Sequence, residues 1–145
     1  MAQTDNRRLL LDTHVFVWLM NGDPRLTDHS VRSAIEEAAH HTELLLSVVS
    51  LWEIGRWVRT GRLRAPIPIA EWTSRAIDTP GLVVVPLDPD IALEGGALPG
   101  SPPEDLADQL IIATARARDA TVVTADPGMA AYGAGGYTRV REVPL

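Results

Sequence analysis

Four carboxylates, Asp12, Glu53, Asp108 and Asp126, are the side chains of this sequence best suited to chemistry. They lie far apart along the chain, so joint action requires a fold that gathers them. Gathered, they offer only hard oxygen donors, a set that suits Mg²⁺ or Mn²⁺ and not zinc. Divalent ions held by carboxylates point to phosphoryl chemistry, where they activate water and neutralise a departing oxygen. Each acid also has an ordinary structural reading. Asp12 can cap a helix, and Asp126 can open an Asp-Pro-Gly turn. Ser50-x-x-Glu53 matches a capping box, and Asp105 and Asp108 suit the positive end of a helix dipole. Singly these readings compete evenly with a functional one; at one edge of a sheet, the four together favour a metal centre.

The elements around them alternate short β-rich runs with amphipathic stretches. Arg8–Asp12 reads as a buried strand, followed by a helix over about Thr13–Met20 and a turn at Asn21-Gly22-Asp23-Pro24. Thr27 or Asp28 can cap a helix running to about His41, with Val31, Ala34, Ile35 and Ala38 on one face. Glu43–Val49 reads as a second strand, with a helix from Ser50 through about Arg59, stopped at Gly61. Pro68 suits the first turn of a helix over Ile69–Ile77. Leu82–Pro86 reads as a third strand, Asp90–Leu98 as a short helix and Pro99–Pro103 as a loop. An apolar helix follows from about Asp105 to Arg118. Thr121–Thr124 is a fourth strand, Asp126-Pro127-Gly128 a turn, and Thr138–Val143 a fifth, edge strand.

This alternation predicts one α/β domain over residues 1–145, a parallel sheet covered by helices on both faces. Functional groups of such sheets collect beyond the carboxyl ends of the strands. Asp12 ends the first strand and Asp126 follows the fourth. Glu53 is expected in the first turn of the helix after strand two, and Asp108 in the first turn of the helix before strand four.

Composition narrows the field. A net charge of −6 argues against broad non-specific nucleic-acid binding, yet leaves room for an acidic metal site. All 13 basic residues are arginine, which excludes lysine-dependent phosphate loops, Schiff-base chemistry and the receiver-domain switch. There is no cysteine, hence no disulfide or zinc ribbon. No apolar run approaches the roughly 18 residues of a membrane span, and the N-terminal residues lack a secretory apolar region. A cytoplasmic setting is expected. His14 can lean toward the site or sit on a helix surface, while His29, His40 and His41 show no ligand spacing. Trp18, Trp52, Trp57 and Trp72 suit core or interface positions. The run Arg56, Arg59, Arg62, Arg64 reads either as a solvated face or as a rail for RNA phosphate beside the metals.

Four segments resemble the PIN-domain family, and within it the VapC-type toxins of bacterial toxin–antitoxin pairs. They are LLLDTHVFVWL at residues 9–19, SVVSLWEIGRWVRTGRL at 47–63, DLADQLIIATA at 105–115 and TVVTAD at 121–126, in family order. The resemblance implies a three-layer αβα sandwich with a mainly parallel four- to five-stranded sheet. It implies Mg²⁺- or Mn²⁺-dependent endonucleolytic cleavage of RNA, a homodimer, and a VapB-like antitoxin that blocks the site. Carried over by motif, Asp12, Glu53, Asp108 and Asp126 are the catalytic and metal-binding acids, one ion falling to Asp12 and Asp108. Thr13 and Thr124 match hydroxyl positions that orient carboxylates or water. Departures are the SPPED loop ahead of Asp105, where relatives often carry His-x-Asp-Pro, Gln109 in place of a common arginine, and arginine at Arg56 or Arg59 where lysine is frequent. Asp105 either supports the site or shares the metal role of Asp108. Competing readings are a non-catalytic PIN-like scaffold and a phospho-receiver-like Mg²⁺-binding module. The receiver expects adjacent acids and a lysine that this chain lacks. A dehalogenase-like phosphatase would need Asp-x-Asp where Asp12-Thr13-His14 stands.

Overall fold

Leucine-rich runs in which neighbouring side chains point to opposite faces set the layering of this protein. In the computed structural model, which describes residues 8–26 and 29–145, β1 spans Leu9–Leu11 and β2 Leu44–Ser47. Leu9, Leu11, Leu44 and Leu46 enter one core, while Leu10 and Leu45 enter the other. A strand that is apolar on both faces must be covered on both, which requires helices above and below the sheet.

The chain supplies them in order. After β1 come α1 (Thr13–Asn21), a 3-10 turn at Pro24–Leu26 and α2 (His29–His40). After β2 come α3 (Val48–Arg59), α4 (Ile69–Ile77) and β3 (Leu82–Val85). Then follow α5 (Pro89–Gly96), α6 (Leu106–Ala117), β4 (Thr121–Thr124), α7 (Pro127–Ala134) and β5 (Val140–Glu142). The first core packs Phe16, Ile35, Ile54 and Trp57 from α1, α2 and α3. The second packs Ile91, Ile111, Ile112 and Met129 from α5, α6 and α7.

All five strands are parallel, in the order β3-β2-β1-β4-β5. Leu10 lies opposite Leu45 on one side and Val122 on the other. From β1 the chain steps outward to β2 and β3, then returns to the far side of β1 for β4 and β5. The connections leaving β1 and β4 therefore diverge, and a crevice opens at their carboxyl ends. Asp12 and Asp126 stand at the mouth of that crevice.

Three local expectations require correction, and one lies out of view. Val48–Val49 look like strand residues, yet α3 starts at Val48 because Ser47 caps it, its hydroxyl accepting the Val49 N–H at 3.2 Å. Ser50 is thus inside the helix, the Ser50–Glu53 capping box does not form, and Glu53 falls in the second turn. Asp126-Pro127-Gly128 opens a helix where a turn is expected: Pro127 pre-sets the helical φ at the first position, and Asp126 caps it through the Gly128 N–H. Pro68 takes the cap position ahead of α4. The Thr27 or Asp28 cap lies outside the described residues.

Candidate metal centre

Asp12, Asp108 and Asp126 are placed by the starts of helices. Asp12 caps α1, its Oδ1 accepting the Thr13 N–H at 2.8 Å. Its Oδ2 accepts the Thr124 hydroxyl at 2.6 Å, and the residue is 6% exposed. Thr124 in turn accepts the Asp126 N–H at 2.9 Å, so one buried hydroxyl ties together the acids that follow β1 and β4. Asp126 caps α7 with Oδ1 at 2.9 Å from the Gly128 nitrogen.

Glu53 reaches the same place from α3. The Thr13 hydroxyl donates to its Oε1 at 2.5 Å. Thr13 Oγ1 also lies 2.8 Å from Ser50 Oγ. A hydroxyl has a single proton, and that of Thr13 is directed at the carboxylate; Ser50 is therefore the donor to Thr13. Ser50, Thr13 and Glu53 form a buried relay that fixes the carboxylate. On the other wall Asp105 caps α6, accepting the Asp108 N–H at 3.0 Å. Gln109 pins the preceding loop through a 2.8 Å bond to the Pro103 carbonyl.

Asp12, Glu53, Asp105, Asp108 and Asp126 line one cleft of about 420 Å³. A larger groove of about 900 Å³ beside β5 contains none of them. Its arginines are engaged, Arg116 with Glu94 and Arg139 with Asp119.

The charges in the cleft act on one another. Asp108 is pushed up to about 8, first by burial and then by the fields of Asp12, Asp105, Asp126 and Glu53. Burial raises Asp12 as well, and Asp126 adds to it, against the opposing hydrogen bonds from Thr124 and Thr13 and the field of His14. Glu53 is raised by burial, with Asp12 and Asp105 adding to the effect and the Thr13 hydroxyl and Arg62 opposing it. His14 keeps one side open to solvent, but partial desolvation lowers its imidazole, with Arg62 and Arg25 adding to the effect and Asp12 and Asp126 opposing it.

These residues fit a hard divalent cation. A group of acids that hold one another's protons lacks positive charge, which an ion between them would supply. Among the described residues no three acid or imidazole groups stand close enough to form a closed cage. Mg²⁺ typically takes only one or two carboxylates and completes its shell with water and substrate oxygens, which an open cleft of this kind allows.

Of the arginines expected near RNA, Arg62 lines the cleft. Arg56 and Arg59 are exposed on α3 outside it, Arg56 lying over the Trp52 ring at 5.7 Å. His41 pairs with Glu37, and neither His40 nor His41 lines the cleft. Sequence reasoning missed Arg25, which reaches the cleft from the 3-10 turn, and the role of Ser50, which was masked by its capping pattern. The Asp23-x-Arg25 pair flanking a turn was the available signal for Arg25.

The profile of the PIN domain family matches residues 9–135. Ribonuclease VapC22 of Mycobacterium tuberculosis is 32% identical over 118 residues, which are 81% of this chain and 86% of that protein. Among solved structures, VapBC2 from Rickettsia felis bound to a DNA fragment from its promoter superposes with a TM-score of 0.66 at 16% identity. That match covers 94% of this chain and 98% of the other. FitAcB from Neisseria gonorrhoeae superposes with a TM-score of 0.61 at 21% identity, covering 91% and 95%. The three-layer parallel fold, the order of the four motifs and these likenesses agree, and the chain belongs to the PIN domain family.

Proposed function

We propose that this chain is a Mg²⁺- or Mn²⁺-dependent endoribonuclease, working as one domain and serving as the toxin of a toxin–antitoxin pair. The observation that carries the reading is the meeting of Asp12, Glu53, Asp108 and Asp126 in one cleft at the carboxyl ends of β1 and β4. Support comes from a relative that is named a ribonuclease. Further support comes from neighbours of the same fold solved as VapBC complexes on DNA. A VapB-like antitoxin, a homodimer and a cytoplasmic setting follow from that kinship. No helix among the described residues is long and apolar enough to cross a membrane.

When bound, the divalent ion supplies Lewis acidity to water and to the phosphate oxygens. Asp12 and Asp108 would hold it, with Glu53 and Asp126 facing it or a second ion. Thr124 fixes the orientation of Asp12, and the Ser50–Thr13 relay fixes that of Glu53, so the acids are set before substrate arrives. Water attacks phosphorus, the bond from phosphorus to the 3′-oxygen breaks, and that oxygen leaves with a proton. The products carry 5′-phosphate and 3′-hydroxyl ends.

Cleavage of single-stranded RNA with Mn²⁺ tests this. Wild type cuts, chelator stops it, and Asp12→Asn or Asp108→Asn lowers the rate at least a hundredfold with the fold intact, on the order of other losses of key charge stabilisation. Undiminished cutting by Asp12→Asn, or products ending in 2′,3′-cyclic phosphate, overturns the assignment.

A further inference from the structure

Beside the carboxylates the cleft opens into a second pocket of about 300 Å³, at the small end of the range for bound organic groups. The two cavities share His14, Trp18, Arg25, Trp57 and Arg62. Two tryptophans form its floor: Trp18 and Trp57 are 8% and 5% exposed. Each carries a guanidinium over its ring, Arg25 at 4.6 Å from the Trp18 centroid and Arg62 at 5.6 Å from that of Trp57. His14 lies against Trp57, with centroids 4.3 Å apart and planes inclined by 33°, and is open to solvent.

The two cations differ. Arg25 is forked onto Asp23 through Nε and Nη2, at 3.0 and 2.9 Å, which holds it rigid and partly neutralises it. Arg62 makes no ion pair among the described residues. It is thus an exposed guanidinium, steadied by an aromatic ring, at the border of a cleft that carries five carboxylates. A polyanion entering that cleft needs cationic contacts beside the acids, since the acids repel its phosphates. The exposed His14 ring, backed by Trp57, offers a flat face of the kind on which bases stack.

We propose that this pocket seats the nucleotide next to the scissile phosphate, its phosphate held by Arg62 with Arg25 and its base stacked on His14. The assignment rests on the ribonuclease reading and deepens it by naming what holds the single strand at that site. Arg62 and His14 are positioning residues, so their loss affects substrate affinity more than turnover.

The experiment combines steady-state cleavage of a short single-stranded RNA with Mn²⁺ and fluorescence anisotropy of the same labelled RNA in chelator, using the full chain. Arg62→Gln is expected to raise KM and the anisotropy Kd about tenfold with kcat within twofold. It should also make the slope of log Kd against log salt shallower by about 0.7, the loss of one phosphate contact on a single strand. His14→Ala should weaken binding severalfold and His14→Phe should restore it, because a flat ring is what the stack requires. Arg75→Gln, on α4 and paired with Glu71, is the control and leaves all readings at wild-type values. A chain that binds and cuts RNA, with Arg62→Gln behaving like Arg75→Gln, overturns the nucleotide seat alone. A wild-type chain that neither binds nor cuts RNA overturns both the seat and the ribonuclease reading.

Discussion

Thr124 joins the two halves of the acid cleft through one hydroxyl, donating to Asp12 and accepting from the Asp126 backbone. Thr124→Val keeps the volume but removes both bonds in a fully buried setting. It should cost about 1–3 kcal/mol in chemical denaturation, the range for a lost bond to a carboxylate. It should also lower cleavage about tenfold by freeing Asp12 to turn. A stability equal to wild type would show that Asp12 is held by something else. That Asp12 and Asp126 would meet was legible in the sequence, because both follow closely on strand runs at the carboxyl edge of one sheet. Thr13 and Thr124 were legible as hydroxyls that orient carboxylates; what could not be read was Ser50, whose bond to Thr13 forms only when α1 and α3 meet. Arg25 was hidden for the same reason, since it lies four residues beyond the end of α1 and enters the cleft through tertiary packing.

At the level of elements, the sheet and most helices follow from periodicity, and the errors fall where capping overrides it. Val48–Val49 are β-branched and prolong the apolar run of β2, but the Ser47 cap converts them to helix. Pro127 and Gly128 read as a turn until the small residues after them, through Ala134, are seen to continue as α7. Ser47→Ala should therefore lower stability by about 1 kcal/mol and loosen the helix that delivers Glu53, seen as faster amide exchange in its first turn. The largest effect expected of any single methyl is at Gly81, which holds φ +81° ahead of β3. A Cβ there would stand 1.9 Å from the Ala39 carbonyl oxygen at the end of α2. Gly81→Ala should unfold the chain or lower its Tm by many degrees, whereas Gly61→Ala, with open space around it, should cost far less. Equal Tm values for the two would mean that α2 and the turn before β3 do not approach as described.

For the whole molecule, the acids proposed to hold the metal are a burden on the metal-free fold. Asp108 keeps its proton to about pH 8 in the folded chain, but releases it near its ordinary value of 3.8 when unfolded. Between those values the folded state binds more protons, so stability falls as pH rises from about 4 to about 8 and then levels. Asp108→Asn removes this contribution and should be at least as stable as wild type at pH 8 without metal. A divalent cation that binds the folded site alone should reverse the burden, adding about 2.7 kcal/mol at a hundredfold excess over its Kd. For a chain of this size that corresponds to a rise in Tm of roughly 5–11 °C. The most direct test is a thermal melt at pH 8 of wild type, Asp12→Asn and Asp108→Asn, each with chelator and with millimolar Mn²⁺. A clustered-carboxylate metal centre predicts a clear Mn²⁺-induced rise for wild type, a much smaller rise for both variants, and variants at least as stable as wild type in chelator. Wild-type melting that is indifferent to Mn²⁺, with both variants destabilised in chelator, would contradict it and leave the acids as helix caps.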